Sequence, residues 1–186
     1  MRNLRLRNMI LAALMAGLIA VLAPYRFFIP GVPSVPVTMQ VLVVFLAGGL
    51  LGPGWGAFSM LLYLALGAVG VPVFAGGVGG LQVLVGLTAG YLWSYPLAAA
   101  LVGWVAPAHR SPGFLRVAVA MLLGLVLIYL GGAGWAVLVG GKALGVVVSG
   151  WVLPFIPLDL AKAALAASAA TAINRALGSQ GFYKGA

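Results

Sequence analysis

Apolar runs of about membrane-spanning length follow one another along nearly the whole chain, separated by clusters of Pro and Gly rather than by polar surface. A bilayer core calls for about 20 consecutive apolar residues per helix. The punctuation predicts six such segments: Asn8 to Ala23, Val37 to Leu51, Gly54 to Val69, Leu81 to Val105, Phe114 to Leu130 and Pro157 to Leu177. With 64% hydrophobic residues, 6% charged residues and a mean hydropathy of +1.20, the chain would expose far too much apolar surface in water. The runs are rich in Leu, Ala, Val and Gly and lack long polar/apolar alternation, which favours helices over a transmembrane barrel. The expected fold is an all-α integral membrane protein, a six-transmembrane-helix bundle with re-entrant or irregular outer loops. Residues 1–178 would form one membrane domain and residues 179–186 a polar C-terminal tail. The basic start (Arg2, Arg5, Arg7) before an apolar stretch has the look of a signal peptide, but no convincing small-residue cleavage site follows, so it reads as a retained first helix.

Orientation follows from the charges. Ten Lys and Arg against one acid give a net charge of +9. In this setting the basic residues flank spans and set orientation, and no nucleic-acid partner is expected. With six spans and a cytoplasmic N-terminus, Arg2, Arg5, Arg7, Arg110, Arg116, Arg175 and Lys184 fall inside, while Arg26 and Lys142 fall outside. The positive-inside rule therefore predicts a multi-pass membrane protein with both termini in the cytoplasm. The connections Pro24 to Pro36, Gly70 to Gly80 and Gly131 to Ile156 then open to the outer face. Within the last of these, Trp135 to Val152 is expected to hold a short helix lying across or dipping into that face.

Asp159 is the single acid in the chain, and it stands three residues before Lys162 in an otherwise apolar run. At that spacing the two side chains share a helix face. Ionisable groups within spans usually face a bundle interior or a cavity and mark a substrate path. The pair is expected to clamp a ligand, with a self-neutralising ion pair as the structural alternative. The stretch Gly70 to Gly80 has five glycines, Gly70, Gly76, Gly77, Gly79 and Gly80, and also carries Phe74. Such a loop lets backbone approach a small molecule closely, so Phe74, Gly76, Gly77 and Gly79 are candidates for a pocket wall. Gln82, Thr88 and Tyr91 in the fourth segment, and Thr38 and Gln40 at the start of the second, need polar partners at the same end. Trp93, Tyr95 and Trp104 read as interfacial anchors, and His109 as a solvated loop residue. Ala12, Ala16 and Ala20 recur at a spacing of four, a stripe that either packs inside the bundle or docks another membrane protein.

Other functions are poorly served. With no Cys, no Glu, one Asp and one His, the chain lacks a second acid–base partner for an intramembrane enzyme and a ligand set for a metal site. Gly140-Gly141-Lys142-Ala143 lacks the spacing and the hydroxyl of a phosphate-binding loop, so no ATPase resides here. No ring of charges or continuous polar stripe suggests a channel.

Six motifs carry a resemblance: Pro36-Val37-Thr38-Met39-Gln40, Leu50-Leu51-Gly52-Pro53, Leu61-Leu62-Tyr63-Leu64-Ala65-Leu66-Gly67, Gly70-Val71-Pro72-Val73-Phe74-Ala75-Gly76-Gly77, Gly86-Leu87-Thr88-Ala89-Gly90-Tyr91, and the run from Leu153 through Pro157 and Asp159 to Lys162. In order and spacing, from residue 10 to about 177, the chain resembles the biotin-specific substrate-binding component of energy-coupling-factor transporters, the BioY family. One departure is Leu87, where the resemblance leads one to expect Pro and a local bend. The resemblance implies a six-helix subunit that captures biotin at the outer face and works with a transmembrane coupling protein and two cytoplasmic ATPases. ATP and magnesium would be bound by those partners, so this chain would need no cofactor of its own. It further implies docking through the Ala12, Ala16, Ala20 stripe. Asp159 would accept from the ureido N–H groups, Lys162 would attract the carboxylate, Tyr91, Thr88 and Gln82 would add hydrogen bonds, and Phe74 would pack on the thiophane ring. A solitary biotin carrier, or a subunit for another vitamin, is the alternative.

Overall fold

The computed structural model describes residues 2–29 and 32–180, and the architecture is nearly all helical. In chain order the elements are α1 (Arg2–Leu22), the strands β1 (Phe27–Ile29) and β2 (Val32–Val37), then α2 (Gln40–Ala68), α3 (Leu81–Val85), α4 (Ala89–Val105), α5 (Phe114–Leu138), α6 (Leu144–Trp151) and α7 (Ile156–Ser179). Single turns of 3-10 helix cover Ala108–Arg110 and Leu153–Phe155. Among the described residues, four stretches are long and apolar enough to cross a membrane: Leu4–Leu22, Gln40–Ala68, Phe114–Leu138 and Leu144–Ser179.

α2 is a folded-back pair of helical arms. At Gly52 the backbone turns to φ 79° and ψ −178°, and Pro53 follows without an N–H to carry the ladder on. The chain reverses there. An added Cβ on Gly56 would stand 3.0 Å from the carbonyl oxygen of Ala47, and the Gln40 amide donates to the Tyr63 hydroxyl at 2.7 Å. In one straight helix those two residues would lie about 35 Å apart. The Gly52-Pro53 turn expected between the second and third segments is thus present.

Glycines let the helices approach. Gly48 of the first arm backs onto the Ala99 carbonyl and Val102 of α4, Gly103 of α4 faces the Gly52-Pro53 turn, and Gly90 of α4 faces Gly131 and Trp135 of α5. In lipid, where apolar burial adds no drive between helices, such close van der Waals contact is what holds a bundle. α4 is consequently central, packed on both α2 and α5. α7 lays Ala163, Ala166, Ala167 and Ala170 inward and is fixed near its end by the buried Asn174 amide, which donates to the Gly49 carbonyl at 2.9 Å.

Several boundaries differ from expectation. The connection after α1 contains an antiparallel β-hairpin, with Phe27 opposite Val37 and Ile29 opposite Val32, so the described fold is not purely helical. The predicted helix 81–105 is divided into α3 and α4 by extended backbone at Gly86, so the chain bends at Leu87 without a proline there. The predicted helix 114–130 runs on to Leu138, because Gly131, Gly132 and Gly134 lie inside α5 rather than ending it. A short helix does occupy part of Trp135 to Val152, as α6. Residues 181–186 of the expected tail lie outside the described residues. Finally, Ala12 and Ala16 are buried and Ala20 is half-buried, on a helix that packs against α2. In this structure the alanine stripe is an internal packing face.

Gly48→Ala should destabilise the protein by about 1–3 kcal/mol, because the new methyl meets backbone that cannot move aside. Gly134→Ala, with nothing within 4 Å of the added carbon, should be neutral or gain up to about 1 kcal/mol from helix propensity. Thermal unfolding in detergent distinguishes the two; equal effects would contradict the packing described.

Candidate functional site

At the end of the bundle where the first arm of α2, α4 and α7 begin, a cavity of about 270 Å³ opens between the helices and the irregular connections. Its most polar wall comes from α7. Asp159 lies in the first turn, where the helix dipole favours a negative charge. Lys162, one turn on, donates to Asp159 Oδ1 at 2.8 Å, and the Tyr129 hydroxyl of α5 donates to Asp159 Oδ2 at 2.7 Å. Both members of the ion pair are buried, with side chains 7% and 9% accessible for Asp159 and Lys162. The sole acid therefore holds both its oxygens on charged or hydroxylic donors, which is the condition for keeping a carboxylate out of water.

A second polar group sits at the start of α2. The Gln40 amide N–H reaches the Tyr63 hydroxyl, which in turn donates to the Val73 carbonyl at 3.1 Å. Gln40 Oε1 accepts from Thr38 at 2.8 Å and from the Tyr95 hydroxyl at 3.4 Å. This chain of bonds ties the first arm, the second arm, α4 and the loop after α2 into one wall.

That loop is a fixed element. The backbone N–H groups of both Gly70 and Gly80 donate to the Gly67 carbonyl, at 3.1 and 2.7 Å, closing its neck. Phe74, 1% accessible, lies on the face of α2 where Gly67 has no side chain and meets Tyr63 edge to face at 5.5 Å. Arg26, from the connection before β1, lays its guanidinium against Gly76 and lines the cavity mouth. On the far side the Tyr91 hydroxyl donates to the Trp151 carbonyl at 3.0 Å, joining α4 to the end of α6.

Of the residues singled out in the sequence, the cavity brings together Asp159, Lys162, Tyr91, Thr88, Phe74, Thr38 and Gln40. Gln82, Gly76, Gly77 and Gly79 lie outside its lining. Gln82 is exposed and donates to the Gly79 carbonyl at 2.7 Å, and Gly76 and Gly77 take positive φ in the turn behind Phe74, so these four shape the loop. The lining also holds Arg26, Tyr95, Tyr129, Trp151 and Phe155. Tyr95 is buried at 4% accessibility rather than anchored at an interface; its signal was the helical spacing 88, 91, 95, which puts it beneath Thr88 and Tyr91. Tyr129 is the one phenol in the apolar run of α5, and Trp151 and Phe155 lie four apart. The cavity offers one carboxylate, two cations, an amide and several hydroxyls among aromatic walls, an inventory for orienting a small polar molecule with an apolar body. Among the described residues no group of His, Cys, Asp or Glu is placed to hold a metal ion.

Comparison with known proteins identifies the family. The model of the BioY family matches residues 1–179. The chain belongs to the BioY family. Biotin transporter BioY of Rhodobacter capsulatus is 41% identical over 169 residues, covering 84% of this chain and 87% of that protein. Biotin transporter BioY of Thermotoga maritima is 38% identical over 173 residues, covering 91% and 97%. Among solved structures, the S-component for biotin from an ECF-type ABC transporter superposes with a TM-score of 0.81 at 29% identity, over 94% of each chain. Membership of a family of membrane transporters accords with the several apolar helices.

Tyr129→Phe removes one of the two donors to Asp159 and should lower stability by about 1.5–3 kcal/mol, the usual worth of a hydrogen bond to a charged group. The shift in unfolding temperature reads it. An unchanged transition would mean that the carboxylate relies on Lys162 alone.

Proposed function

We propose that this chain is the biotin-capturing subunit of an energy-coupling-factor importer, powered by partner ATPases through a transmembrane coupling protein. The observation that carries the reading is the cavity itself, in which the chain's one carboxylate, Asp159, stands beside Lys162 at one end of a transporter-family bundle. The membrane is crossed six times, by α1, the two arms of α2, α4, α5 and α7, with both termini in the cytoplasm and the cavity at the outer face. The concentration of arginines at the opposite end supports that orientation.

Biotin combines a ureido ring with two N–H donors and a carbonyl, an apolar thiophane and an anionic tail. The paired Asp159 and Lys162 suit the ureido head, the carboxylate accepting an N–H and the ammonium donating to the carbonyl. Lys162 and Arg26, the two cations of the lining, attract the carboxylate tail. Phe74, Trp151 and Phe155 supply surface for the thiophane, and Thr38, Gln40, Thr88 and Tyr91 supply further hydrogen bonds. ATP and magnesium belong to the partners.

The docking face on α1 is the one turned away from α2. Ala13 and Gly17, four apart, are exposed there between Met9, Leu14 and Val21, a notch in which another helix can approach closely. Ala16 is buried instead, so substituting it perturbs packing.

Titration calorimetry on the purified protein tests the reading. Biotin should bind more tightly than thiamine or riboflavin, and Asp159→Asn should weaken it about ten- to a hundredfold, the equivalent of a charged hydrogen bond. Equal affinity for the three vitamins would end the proposal. Gly17→Leu should abolish co-purification with the coupling protein while leaving biotin affinity unchanged; retained assembly would move the docking face elsewhere.

A further inference from the structure

The end of the bundle opposite the large cavity holds a second hollow of about 90 Å³, bounded by Arg7 and Asn8 of α1, His109 of the 3-10 turn, and the Gly52-Pro53 reversal of α2. We propose that it binds the phosphodiester group of an anionic membrane lipid.

Three observations converge. First, among the described residues the charged side chains at this end are all basic. Arg5 and Arg7 begin α1, His109 and Arg110 follow α4, and Arg116 begins α5. Arg175 is brought to the same place by the Ser111 hydroxyl, which donates to the Asn174 carbonyl at 3.4 Å. The only side-chain acid in the chain is Asp159, paired with Lys162 at the other end. Second, the lining suits a phosphate: a guanidinium fork, an amide and an imidazole stand around a hollow of small-anion size. Arginine meets phosphate bidentately, and basic pockets between transmembrane helices are a recognised setting for anionic headgroups. Third, the remainder of the lining is apolar, from Leu11, Leu50 and Leu51. Beside it on α1, Leu6, Met9 and Ile10 are 56%, 51% and 53% accessible. A headgroup seated in the hollow has an apolar helix face along which its acyl chains can run, which a free phosphate would leave unused.

Native mass spectrometry of the purified chain, titrated with phosphatidylglycerol or phosphatidylcholine, tests this. One phosphatidylglycerol should be retained about tenfold or more tightly than phosphatidylcholine, and Arg7→Gln should erase the preference while biotin binding persists, since the two hollows lie at opposite ends. Should Arg7→Gln fail to fold, His109→Ala, at an exposed position, should reduce the same preference. Inorganic phosphate is added as a separate arm. Displacement of the lipid by millimolar phosphate would assign the site to the phosphate group alone, and no displacement would assign it to the whole lipid; either keeps the anion site. Equal retention of the two lipids, or a preference that survives both substitutions, overturns it.

Discussion

A single carboxylate within a membrane bundle fixes much of what surrounds it. Asp159 cannot be left alone at low dielectric, since an isolated buried charge costs far more than any one contact returns. Its position in the first turn of α7, Lys162 one turn later, and a hydroxyl from α5 on the remaining oxygen together meet that demand. Placing Tyr129 there requires α5 to reach the same level as the start of α7. The cavity then forms where the ends of the first arm of α2, α4, α5 and α7 must stay apart to leave the pair room.

The same demand governs the irregular backbone at that end. Loops at membrane depth are tolerated only where their N–H and C=O groups are satisfied by protein or by a cavity. Residues 70–80 meet the condition internally: Gly67 accepts two N–H groups at the neck, Phe74 N–H bonds the Val78 carbonyl at 2.9 Å, and Gly76 N–H bonds the Pro24 carbonyl at 3.1 Å. With Phe74 seated over Gly67, the loop is a built wall of the cavity. A side chain on Gly67 would meet Phe74 and one on Gly79 the Val71 carbonyl, while Gly70 and Gly77 have open space and take positive φ.

Apolar segment length and Pro/Gly punctuation made the helices legible, and the rarity of charge made the Asp159 and Lys162 pair legible as the centre of the site. What stayed hidden depended on neighbours remote in sequence. Gly86 ends α3 only because the backbone there must turn before α4, and Trp135 Nε1 of α5 donates to its carbonyl at 2.9 Å. Whether Ala12 and Ala16 face α2 or lipid is set by the rotation of α1, which a spacing of four leaves undetermined, since Ala13 and Gly17 repeat at the same interval one residue on. Tyr95 and Tyr129 look like any aromatic residue near a span end until the Gln40 amide and the Asp159 carboxylate come into reach.

The first arm of α2 links the two ends of the molecule. Gln40 and Val41 at its start line the large cavity, and Leu50, Leu51 and Gly52 at its finish line the smaller hollow. Between them Gly48 is pressed to the Ala99 backbone and Gly49 to Ala170, with Asn174 bonded to the Gly49 carbonyl. Close-packed interiors transmit displacement because there is little void to absorb it. A shift of Gln40 against Tyr63 and Tyr95 therefore has to move the arm together with α4 and α7 or leave it in place. Occupation of the cavity can act at the arginine-bearing end through that shared movement, the arm being held to α4 and α7 by glycine and alanine contacts.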